Sequence, residues 1–147
     1  MGREIDTEIL IVDDNIDNLN VLRGVLKNDY KIRIATNGIE ALASINEALP
    51  DLILLDVHLP KLSGFEVCSK LKKQEKTKKI PVIFLSALQD SYNRLQAFKL
   101  GAVDYIAKPF EMAEVMARVK IHMYYSFLEK EVNRLNRRLI ENQLEIL

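Results

Sequence analysis

Five short apolar runs dominate the chain, Ile9–Val12, Ile32–Ala35, Leu52–Leu55, Val82–Leu85 and Val103–Ala107, each too short for a helix and rich in Ile, Val and Leu. Continuous rather than alternating apolarity predicts strands buried on both faces, as in a parallel sheet. Between the runs lie segments with helical spacing. Leu19, Leu22 and Leu26 mark the first and Ala41, Leu42 and Ile45 the second. Phe65, Cys68 and Leu71 mark the third, and Leu95, Ala97, Phe98 and Leu100 the fourth. Asn15 or Asp17 supplies a cap for the first helix, and Gly101 follows the fourth where a left-handed residue is wanted. The order is five βα units, a three-layer α/β domain with helices on both faces of the sheet.

All five glycines and all four prolines precede Phe110, so 110–147 reads as one unbroken helix. Ile121, Tyr125, Leu128, Val132, Leu135, Leu139, Asn142 and Ile146 alternate spacings of four and three along it, a coiled-coil seam. At 1.5 Å per residue such a helix is about 55 Å long, so its outer half needs a partner. The preferred arrangement is a parallel homodimer seamed by Leu128, Val132, Leu135, Leu139 and Ile146. A second stripe, Ile140, Leu144 and Leu147, leaves an antiparallel pair or small bundle open. A helical pattern still running at Leu147 is expected of a piece of a longer regulator.

In parallel α/β folds the site lies beyond the carboxyl ends of the strands. There the first strand ends in Asp13 and Asp14, the third in Asp56, the fourth in Ser86 and the fifth in Lys108, with Pro109 after it. Three gathered carboxylates need a cation, and an all-oxygen set with open positions suits Mg²⁺. Asp56, alone on the central strand, is the expected nucleophile for an acyl phosphate. Lys108 would offset charge and the Ser86 hydroxyl would donate to a phosphoryl oxygen.

Charge and cysteine content narrow the classes. With 21 basic and 21 acidic residues the net charge is zero, which speaks against a nucleic-acid or membrane-surface binder. No apolar run approaches a membrane span, and neither a G-x-G-x-x-G nor a P-loop pattern occurs. One cysteine, Cys68, allows no intrachain disulfide and fits a reducing, cytoplasmic setting; on the apolar face of the third helix it is expected in the core. His58 and His122 lack partners at metal-binding spacing, so no zinc site is expected.

The segments ILIVDDN, LILLDVHLPKLSGFEV, PVIFLSA and GAVDYIAKPF, in this order, resemble the receiver domain of bacterial two-component response regulators. The resemblance covers residues 8–124, after a tail of 1–7 and before a coiled-coil extension of 125–147. It implies a flavodoxin-like (βα)5 fold and phosphorylation of Asp56 by a histidine kinase or phosphotransfer protein. Mg²⁺ would be held by Asp13, Asp14 and Asp56 with the backbone carbonyl of His58, and the Lys108–Pro109 bond would be cis. It also implies a switch in which Ser86 moves towards the phosphoryl group and Tyr105 turns inward. His58 and Leu88 match positions that tune dephosphorylation, and the apolar Leu88 predicts a phosphoryl lifetime that is not among the shortest. A haloacid-dehalogenase phosphatase is disfavoured because His58 stands where that class wants a second aspartate. A phosphorylation-independent scaffold is disfavoured by the intact acidic set.

Overall fold

The computed structural model describes residues 6–87 and 91–146. Along the chain run β1 (Glu8–Val12), α1 (Ile16–Leu26), β2 (Lys31–Ala35), α2 (Gly38–Glu47) and β3 (Leu52–Asp56). They are followed by α3 (Gly64–Lys72), β4 (Val82–Ala87), α4 (Ser91–Lys99), β5 (Asp104–Lys108) and α5 (Met112–Ile146). The strands form one parallel sheet in the order β2-β1-β3-β4-β5, the flavodoxin-like architecture. Leu88 and Leu147 lie outside the described residues, as does the start of the 1–7 tail. Among the described residues no helix is long and apolar enough to cross a membrane.

Successive side chains of a strand point to opposite faces, so each continuous apolar run feeds two cores. Leu10, Val12, Ile53, Leu55, Val82 and Phe84 pack with α2, α3 and α4, where Phe65 meets Phe84 edge to face at 5.2 Å. Ile9, Ile11, Leu52, Leu54, Ile83, Leu85 and Ile106 pack on the other face against α1 and α5. Cys68 is buried in the first of these cores. At the margin β2 is only half covered, which is why its run is the least apolar.

The helix starts follow local chemistry. Asn15 Oδ1 accepts the Asn18 N–H at 3.1 Å, Asn37 Oδ1 accepts that of Glu40 at 2.8 Å, and Ser63 and Glu66 form a reciprocal capping box. After α4, Gly101 takes φ +102°, a conformation that favours glycine. The expected burial of α4's apolar residues is only partly met. Ala97 is buried, whereas Leu95 and Phe98 are 57% and 46% exposed. The helix leans on β5 through its smallest apolar residue and turns the larger ones outward.

The terminal helix is continuous over Met112–Ile146, but only Val115 and Val119 are buried in it. Along its outer part Leu128, Val132, Leu135, Leu139, Ile140, Leu144 and Ile146 are all exposed.

Candidate functional site

The parallel register fixes which strand ends meet. Asp56 is paired with Leu85, Ser86 with Ala107, and Ala87 with Lys108, while Asp13 and Asp14 directly follow Val12 at the end of β1. The five residues therefore share the carboxyl edge. Asp13, Asp14 and Asp56 each present a carboxylate oxygen, all within 4.8 Å of one another.

Asp13 is fully buried, accepting the Asn15 N–H on Oδ1 at 2.9 Å and the Asn18 side-chain amide on Oδ2 at 3.2 Å. The Lys108 Nζ donates to Asp13 Oδ2 and to Asp56 Oδ2, 3.0 Å from each, and the His58 N–H donates to Asp56 Oδ1 at 3.2 Å. Asp14 is exposed at the rim and Ser86 is buried on β4. The Lys108–Pro109 peptide bond is cis.

Burial pushes the Asp56 carboxyl above its usual range and the Asp13 charge adds to this, while Lys108 and the His58 N–H pull against it. Burial alone would lower Lys108, but its bonds to Asp56 and Asp13 hold the ammonium above the usual lysine value. Among the described residues the site thus sets the Lys108 ammonium against three carboxylates. All three carboxylates are oxygen donors and Asp14 is open to solvent, a donor set that fits a hard divalent cation such as Mg²⁺.

Behind the site Tyr105 is buried on β5, opposite Phe84 of β4, with the Arg94 guanidinium of α4 5.1 Å from its ring centre. The His58 ring lies 3.5 Å from the Asn93 side-chain amide, a second link to α4.

One cluster escaped the sequence reading. Asp104 accepts two hydrogen bonds from Arg118 Nη1, at 2.7 and 2.8 Å, lies 2.8 Å from His122 Nε2 and accepts the Tyr105 N–H at 2.8 Å. Burial works against this charge, but Arg118 and His122 hold the Asp104 carboxyl below its usual range. Arg118 and His122 stand four apart on one helix face, the available sequence signal, and their target lies on another element. His122 is thus engaged by a carboxylate.

Comparison with known proteins agrees with this geometry. The response regulator receiver domain model matches residues 9–120. The transcriptional regulatory protein ResD of Bacillus subtilis is 43% identical over 121 residues, covering 82% of this chain and 49% of its own length. The DNA-binding dual master transcriptional regulator RpaA of a Synechocystis species is 42% identical over 114 residues, 76% of this chain and 47% of its own. This chain therefore spans about half the length of these relatives. The crystal structure of the receiver domain of NtrX from Brucella abortus superposes with a TM-score of 0.74 at 30% identity, covering 79% of this chain and 98% of that one. An acidic strand-end cluster bridged by a lysine, on a five-stranded parallel sheet matched over most of its length, leaves one conclusion: the chain belongs to the response regulator receiver domain family.

Proposed function

We propose that residues 8–124 are a phosphorylation switch in which Asp56 accepts a phosphoryl group from a histidine kinase or phosphotransfer protein. The observation that carries this reading is the Lys108 ammonium, 3.0 Å from both Asp13 and Asp56, at the edge where all three carboxylates meet. An oxygen of Asp56 attacks phosphorus as the bond to the donor nitrogen breaks. The Lys108 ammonium follows the charge onto the phosphoryl oxygens, and the Ser86 hydroxyl donates to one of them. Asp13, Asp14 and Asp56, with the His58 backbone carbonyl, would hold Mg²⁺, which when bound offsets the phosphoryl charge.

The switch reading assigns movement to Ser86 and to Tyr105, whose ring already carries the Arg94 guanidinium of α4. Leu88, beyond Ser86, would slow hydrolysis because it cannot orient a water. The chain acts as a signalling module in the cytoplasm, with no enzymatic activity beyond assisting its own phosphorylation and dephosphorylation. It makes no direct nucleic-acid contact, as its charges cancel.

Residues 125–147 are proposed to pass the signal on through a homodimer, because the seam residues Leu128, Val132, Leu135, Leu139 and Ile146 stand exposed on α5. Intact-mass measurement after incubation with acetyl phosphate and Mg²⁺ tests the main claim. One added phosphate in wild type and none in Asp56→Asn is expected; equal labelling of both would overturn the site.

A further inference from the structure

The exposed stripe of α5 is wider than a two-helix seam requires. Ile140 repeats, two heptads on, the position of Ser126, and Leu144 repeats, three heptads on, that of Met123. Ser126 and Met123 are partly buried on the flank of α5 that faces its own domain. The outer half of the helix thus carries an apolar domain-facing flank where its own domain no longer reaches, and Ile140 and Leu144 are 58% and 66% exposed. On the inner half it is the seam itself that borders open space. A groove of about 720 Å³ runs between α5 and the loops beneath the sheet, lined by Lys79, Pro81, Val103, Tyr125, Leu128 and Val132 among others.

We infer that the groove receives the outer half of α5 from a second copy, the two helices running antiparallel. This rests on the self-association proposed above and specifies its direction and register. Packing a positions on d positions matches the seam throughout: Ile121 meets Ile146 of the second copy, Tyr125 meets Asn142, Leu128 meets Leu139 and Val132 meets Leu135. The overlap of about 38 Å, at 1.5 Å per residue, uses every seam residue.

Flanking charges favour this direction. Antiparallel pairing sets g positions against each other, so Glu131 of each copy meets Arg138 of the other, twice by symmetry. Parallel pairing would place Glu131 beside Asn136 and Arg138 beside Gln143, with no opposite charges facing. It would also stack Asn142 on Asn142, whereas the antiparallel register gives that amide the Tyr125 hydroxyl. In this register the outer seam residues Leu135, Leu139 and Asn142 of each helix run level with Val132, Leu128 and Tyr125 of the other copy, which line its groove. In a parallel pair Leu139 and Ile146 would lie about 10 and 21 Å past Val132, beyond either groove, at 1.5 Å per residue.

Disulfide trapping separates the registers, with sedimentation equilibrium at tens of micromolar as the independent readout of association. Leu128→Cys and Leu139→Cys chains should cross-link when mixed, and neither should cross-link to itself; wild type, whose Cys68 is buried, serves as the blank. Glu131→Arg and Arg138→Glu should each weaken the dimer about fivefold, and the doubly swapped chain should recover wild-type affinity. Self-linking of Leu128→Cys, or a sedimenting dimer whose mixed chains do not link, would overturn the antiparallel register while leaving self-association standing. A wild-type monomer at these concentrations would overturn the self-association itself.

Discussion

Lys108 and Asp56 meet at 3.0 Å although β4 lies between the strands that carry them. The lysine spans two strand spacings, about 10 Å, and arrives at a carboxylate whose pKa burial has raised. An ionised carboxylate with a raised folded pKa costs stability above its unfolded pKa, and the cost fades as the medium becomes acid. Asp56→Asn is therefore expected to stabilise the fold by about 1 kcal/mol at neutral pH, with the difference closing below the carboxylate range. Lys108→Met, which leaves Asp13 and Asp56 without their cation, should lose about 3 kcal/mol at neutral pH and less in acid. Urea unfolding of the three proteins across pH checks both signs; a difference independent of pH would contradict them.

Divalent metal should relieve the same repulsion. Mg²⁺ is expected to raise the thermal midpoint of wild type. Asp14→Asn should leave the metal-free midpoint unchanged, since Asp14 is exposed, and weaken Mg²⁺ binding at least about tenfold. Calorimetric titration with Mg²⁺ gives the second quantity directly, and unchanged affinity would remove Asp14 from the ligand set.

Gly64 sits under the site. Its N–H donates to Val57 O at 2.9 Å, and a Cβ at this position would overlap the Asp56 carbonyl oxygen. Backbone cannot yield as a side-chain tip can, so Gly64→Ala should destabilise by about 2–3 kcal/mol and slow phosphorylation by displacing Asp56. Gly24→Ala, with nothing within 4 Å of the added carbon, is the matched control and should unfold at or above the wild-type urea concentration.

Asp104 contributes with the opposite sign to Asp56. Its lowered carboxyl pKa gives stability that is present above the unfolded value and lost as pH falls through the folded one. Asp104→Asn should cost about 1 kcal/mol at neutral pH and almost nothing in strong acid. Hydrogen exchange should also quicken around Val115 and Val119, the buried anchor of α5.

How much of this was legible in the sequence depends on the range of the interaction. Asp13, Asp14, Asp56, Ser86 and Lys108 could be gathered from residue order alone, because a parallel sheet brings every strand's carboxyl end to one edge. The cap of α1 was readable to within Asn15 or Asp17 because caps are local, and the structure selects Asn15. The Asp104 pairing with Arg118 and His122 was not, since it joins β5 to a helix face whose rotation is set by packing. Leu95 and Phe98 misled for the same reason: a helical spacing says that residues share a face, and only the neighbouring β5 and Ala97 decide whether that face is turned inward.

The terminal helix also has mechanical leverage. Its last buried side chain is Val119, and from there the axis runs about 40 Å to Ile146, at 1.5 Å per residue. A tilt of about 5° at that fulcrum, within the range a repacked contact can produce, carries the tip about 3.5 Å, close to the width of an atom. Asp104, which grips α5 through Arg118 and His122 on either side of Val119, is placed at the fulcrum, and its neighbour Tyr105 faces the other side of the sheet. A sub-ångström rearrangement along β5 that tilted α5 by this much would displace the tip by several ångströms, through length alone.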